Sequence, residues 1–93
     1  MSHQEEWKIA MDWWNGYESV SIMGVTVRDM IRTLATEQLQ SEMCEGQGIG
    51  SSDINHTVFA IHRTWLAYNK YCEKMNMTPN VLLFLMDEMN SVC

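Results

Sequence analysis

The residues able to do chemistry are few in this chain and poorly spaced for it. The most suggestive stretch is the loop Gly46-Gln47-Gly48-Ile49-Gly50-Ser51-Ser52, which runs into a helical pattern beginning at Ile54. Backbone N–H groups in such a loop, with a helix dipole behind them, can cradle a phosphate. Arg63, Lys70 and Lys74 fall at i, i+7 and i+11 of that helix and hold half of the six positive charges. One reading is therefore a binder of a small phosphate-bearing ligand such as a nucleotide, held by Gly46, Gly48, Gly50, Ser51, Ser52, Arg63, Lys70 and Lys74. Against it, a helix precedes the loop where a dinucleotide fingerprint needs a strand, and the Gly-Lys-Ser/Thr ending of a P-loop is missing. Asp53 would also repel an anion. The plainer reading is a flexible connection, a helix start capped by Ser52 or Asp53, and a solvated row of cations.

Other chemistry has less behind it. His56 and His62 are six residues apart, so they lie on different helix faces and cannot share a metal as an i, i+4 pair would. The three cysteines, Cys44, Cys72 and Cys93, form neither a CxxC pair nor the even count of a disulfide framework. No G-x-S-x-G elbow is present. The carboxylate pairs Glu5–Glu6 and Asp87–Glu88 are adjacent, which on a helix points them about 100° apart rather than toward one proton. We expect no enzyme, no metal and no cofactor.

Surface chemistry is the stronger theme. The chain holds four Trp and nine Met in 93 residues; Trp and Tyr recur as interface anchors, and Met-rich surfaces adapt to partners. Trp13 falls off the apolar face of its helix, and Leu83, Phe84 and Tyr71 are hard to hide together in so small a bundle. Trp13, Trp14, Leu83, Phe84 and Tyr71 are the expected partner contacts.

These residues must be positioned by helices. From Ile54 the apolar positions Ile54, Val58, Ile61, Trp65, Tyr68, Cys72 and Met75 alternate in spacing between 4 and 3, a helical seam about 33 Å long at ~1.5 Å per residue. Phe59, His62 and Leu66 widen it, so this central helix, 54–76, is packed from more than one side. Ser2 with Glu5 matches a capping box for a helix over roughly His3–Trp14, with Trp7, Ala10, Met11 and Trp14 on one face. Asn15-Gly16 should end it through a left-handed glycine. Residues 17–27 read as an extended connection to Thr26 as N-cap, with a tiny hairpin turned at Gly24, pairing with a second copy, as the alternative. Val27 to about Met43 is amphipathic. Thr78 as N-cap and Pro79 in the first turn should open a last helix carrying Val81, Leu82, Leu85, Met86 and Met89 on one face. The expected architecture is all-α, one domain over 1–93: a compact bundle of about four helices.

Composition bounds the function. Apolar residues at 46% exclude a disordered chain. Net charge of −6 argues against direct binding to nucleic acid or to anionic membrane. The longest apolar run, Val81–Met86, is far too short to span a bilayer. Acids stand near the N-terminus where a signal peptide carries bases, so we expect a cytoplasmic protein. The function expected is a non-catalytic protein–protein interaction module: a small self-associating adaptor or stoichiometric inhibitor, such as a phage or mobile-element protein that blocks a host factor. Its partner would be a protein, and a homo-oligomer of two or more copies is expected. An acidic mimic of nucleic acid is a further alternative, weakened by the spread of the twelve acids over the whole chain.

Overall fold

In the computed structural model, which describes residues 3–44 and 54–91, four helices surround one apolar core, with a two-stranded hairpin between the first and second. Helix α1 (His3–Gly16) runs into a 3-10 turn, Tyr17–Ser19. Gly16 does not take the expected left-handed conformation: its φ is −62°, and the helix tightens through the turn instead of stopping. Residues 21–26 then form a hairpin rather than the preferred extended connection. Strand β1 (Ser21–Ile22) pairs antiparallel with β2 (Val25–Thr26) in the register Ile22↔Val25. Met23 (φ 55°) and Gly24 (φ 84°) make the reversal. Two successive positive φ values are the mark of a type I′ turn, whose twist matches that of the strands it joins.

Helix α2 (Val27–Cys44) begins as expected, with the Asp29 N–H donating to the Thr26 hydroxyl at 3.1 Å. Helix α3 (Ile54–Lys74) is the long central element. It ends in a Schellman motif: the Met77 N–H donates to the Cys72 carbonyl at 2.8 Å, the Asn76 N–H to the Glu73 carbonyl at 3.3 Å, and Asn76 sits at φ 60°. Asparagine tolerates that left-handed position better than most residues. Helix α4 (Val81–Ser91) starts later than expected. Its cap is Asn80, not Thr78: the Asn80 side-chain oxygen accepts from the N–H groups of Leu82 at 2.9 Å and Leu83 at 3.3 Å. The Asn80 N–H in turn donates to the Tyr68 hydroxyl at 3.2 Å, which fixes the start of α4 on α3.

The core joins Trp14 from α1, Val27, Ile31, Leu34 and Ala35 from α2, Val58 and Ile61 from α3, and Phe84 and Leu85 from α4. Val58, Ile61 and Cys72 of the expected seam are fully buried, while Met75 lies past the helix end and is exposed. The α4 face differs from expectation. Phe84 and Leu85 point inward, and Met86 and Met89 point out. An aromatic cluster accounts for the rotation: Phe84 packs 5.3 Å from Trp65 and 5.6 Å from Tyr68, ring centroid to centroid. Aromatic pairs carry more area and more specific geometry than a methionine offers, so they set which side of α4 turns in. No described helix is long and apolar enough to cross a membrane.

Candidate functional site

The surface most open to use lies between the hairpin, α2 and α4. There a groove of about 530 Å³ is lined by Ile22 and Val25 of the hairpin, Met30 and Thr33 of α2, and Leu82, Leu85, Met86, Met89 and Asn90 of α4. Seven of these nine side chains are apolar and none is charged. The helical repeat explains how α4 contributes five of them. Leu82, Leu85, Met86 and Met89 share one flank at i, i+3, i+4 and i+7, next to the flank that carries Phe84 into the core. Met86 of this lining is 63% exposed, and Leu83, outside the lining, is 60% exposed. Met23 stands at the hairpin tip, 98% exposed.

The expected partner contacts separate in the structure. Trp14 and Phe84 are buried, 7% and 4% exposed, so neither is a surface anchor. Trp14 fills the core and its indole N–H donates to the Arg28 carbonyl at 3.0 Å. Trp13 is half-buried; its ring lies 5.1 Å from the His62 imidazole, 5.6 Å from Tyr17 and 6.2 Å from Trp65. It bridges α1 to α3, because the inner face of α1 is wider than the four-residue stripe predicts. Leu83 and Tyr71 are exposed. Neither lines the groove.

The cations do not converge. Lys70 and Lys74 flank a shallow hollow with Tyr71 and Glu73, so a carboxylate shares the space an anion would need. Arg63 faces another hollow, between α1 and α3, with Glu6, Ile9, His62 and Leu66, and its guanidinium lies 5.9 Å from the Phe59 ring centroid. Gly46, Gly48, Gly50, Ser51 and Ser52 lie outside the described residues, as do the capping residues Ser2 and Asp53. His62 is buried, and desolvation holds its imidazole below the ordinary value of 6.5. Burial, with the neighbouring Asp87 carboxylate, holds Glu88 above its ordinary 4.5. Among the described residues, no group of three His, Cys, Asp or Glu side chains could hold a metal ion.

Sequence reasoning missed the groove residues Ile22, Val25 and Met30. A signal for half of the groove was available: Val81–Met86 is apolar at six consecutive positions, so the first half of α4 is apolar all round, which calls for cover on more than one side. Comparison with protein-family models, curated proteins and solved structures finds no match to this chain.

Proposed function

We propose that this protein is a non-catalytic interaction module and that the face formed by α4 and the hairpin is its protein-docking surface. One observation carries the reading: α4 is apolar at six consecutive positions, Val81–Met86, yet only Phe84 and Leu85 are buried, and Leu82, Met86 and Met89 line an uncharged groove. Contiguous apolar surface of this kind on a small chain marks contact with another macromolecule. Methionines lining it suit a surface that adapts to what docks. A stoichiometric adaptor or inhibitor, acting by occupancy rather than by turnover, is the kind of function such a face serves.

The test is a photo-crosslinking side chain placed at position 86, with a control at Thr36 on the outer side of α2. Protein adducts formed from 86 and not from 36 are the expected result. Adducts from both positions alike, or from neither, would rule the face out.

A further inference from the structure

We propose that the hollow between α1 and α3 is a binding site for a small zwitterion with an apolar side chain, a free amino acid such as leucine or phenylalanine. The site shares no lining residue with the α4–hairpin groove and does not depend on what docks there.

The hollow measures about 420 Å³ and is lined by Glu6 and Ile9 of α1 and by His62, Arg63 and Leu66 of α3. Ligand cavities run upward from about 300 Å³, so a molecule of amino-acid size fits. Helical spacing builds the two walls. Glu6 and Ile9 stand at i and i+3, His62 and Leu66 at i and i+4, so each helix brings one polar and one apolar side chain to the hollow.

His62 is the group that calls for a ligand. It is only 5% exposed, it lines the hollow, and its imidazole has no hydrogen-bond partner among the described residues. A buried polar group left unpaired is destabilising, and a ligand that pairs with it removes that penalty. Desolvation keeps the ring neutral at neutral pH, so it offers one donor and one acceptor and adds no second cation.

The charges beside it choose the class of ligand. Arg63 and Glu6 stand on different helices, and neither has an ion-pair partner among the described residues. A simple anion would be drawn to Arg63 and repelled by Glu6, and a simple cation the reverse. A carboxylate for Arg63 and an ammonium for Glu6 on one molecule satisfy both. Ile9 and Leu66, 45% and 48% exposed, leave aliphatic surface for its side chain. The hollow at Lys70, Tyr71, Glu73 and Lys74 is also of mixed charge, but it lies on one helix, and no buried polar group or aliphatic side chain lines it.

Titration of the protein with L-leucine and with L-phenylalanine tests the proposal, followed by NMR of the His62 ring nitrogens and of the Ile9 and Leu66 methyl groups. The expected result is a saturable shift at all three residues with at least one of the two. Analogues that keep the side chain but only one charge should bind about tenfold or more weakly: isocaproate and isoamylamine for leucine, hydrocinnamate and phenethylamine for phenylalanine. Arg63→Gln and Glu6→Gln should weaken binding by a similar factor with helicity intact, since neither side chain is buried, and Lys74→Gln should leave it unchanged. No saturable shift with either amino acid overturns the proposal. So does a one-charge analogue that binds as tightly as its parent, or a set of shifts that leaves His62 out.

Discussion

The guanidinium of Arg28 lies 4.3 Å above the ring of Trp14, and the indole N–H of Trp14 donates to the Arg28 carbonyl at 3.0 Å. The two residues thus hold each other twice, and Arg28 Nε also donates to the Asn15 side-chain oxygen at 3.0 Å. This clasp joins the end of α1 to the start of α2. It also explains why Trp14 is structural although its neighbour lies nearer the surface.

Trp13 and Trp14 should therefore respond differently to the same change. Trp14→Phe keeps a ring but removes a used N–H and shrinks a core side chain, at a cost of about 1–2 kcal/mol. The Trp13 indole nitrogen is buried with no hydrogen-bond partner among the described residues. Trp13→Phe removes that unsatisfied donor, which offsets the lost area, so the change should stay within ~1 kcal/mol of neutral. Urea unfolding of both variants checks this, and an equal or larger loss for Trp13→Phe would contradict it.

Much of the fold could be read from residue spacing, and the reasons for the exceptions are specific. The α3 seam was legible because Val58, Ile61 and Cys72 recur at helical spacing over several turns. The Thr26 cap was legible from local chemistry. The inner face of α4 was not: six successive apolar residues carry no periodic contrast, so Phe84 and Met86 were assigned to the wrong sides. Spacing places Trp14 on the apolar face of α1, but its anchor, the backbone of Arg28 fourteen residues away, is not local, so a surface role and a core role look alike in the sequence. The groove needs the hairpin, α2 and α4 together, and no single stretch encodes it.

The hairpin turn yields a second prediction. Asn-Gly is favoured in a type I′ turn, where both central residues have positive φ. Met23→Asn should stabilise the monomer by about 0.5–1 kcal/mol, and Gly24→Ala should destabilise it by about 1 kcal/mol or more. Thermal melts at low protein concentration measure both. A destabilised Met23→Asn variant would mean that Met23 supports the fold itself.

Acid should weaken the fold through His62. Its imidazole is buried beside Trp13, with Glu6 and Arg63 in the adjoining hollow, and desolvation holds its folded value below 6.5. The unfolded chain then binds the proton first, so stability is full above about 6.5 and falls as pH drops toward the folded value. Glu88 acts in the opposite sense: its folded value lies above 4.5, so its contribution is greatest at low pH and fades as pH rises through that value. His62→Gln should flatten the decline below pH 6.5. An unchanged melting profile in that variant would assign the acid sensitivity to other groups.

The most direct test of the docking face compares methionines within one molecule. Met75 and Met77, 56% and 54% exposed, lie outside the groove, while Met86 lines it and Met23 stands exposed at the tip of the hairpin that forms part of the same face. Oxidation rates at each methionine, read by mass spectrometry in dilute purified protein and again in the cell, report which side chains become covered. The account predicts reactivity in dilute solution that follows exposure, greatest at Met23, and in the cell protection of Met86 and Met23 by several-fold with Met75 and Met77 unchanged. The same relative reactivity of all four in both settings would contradict it.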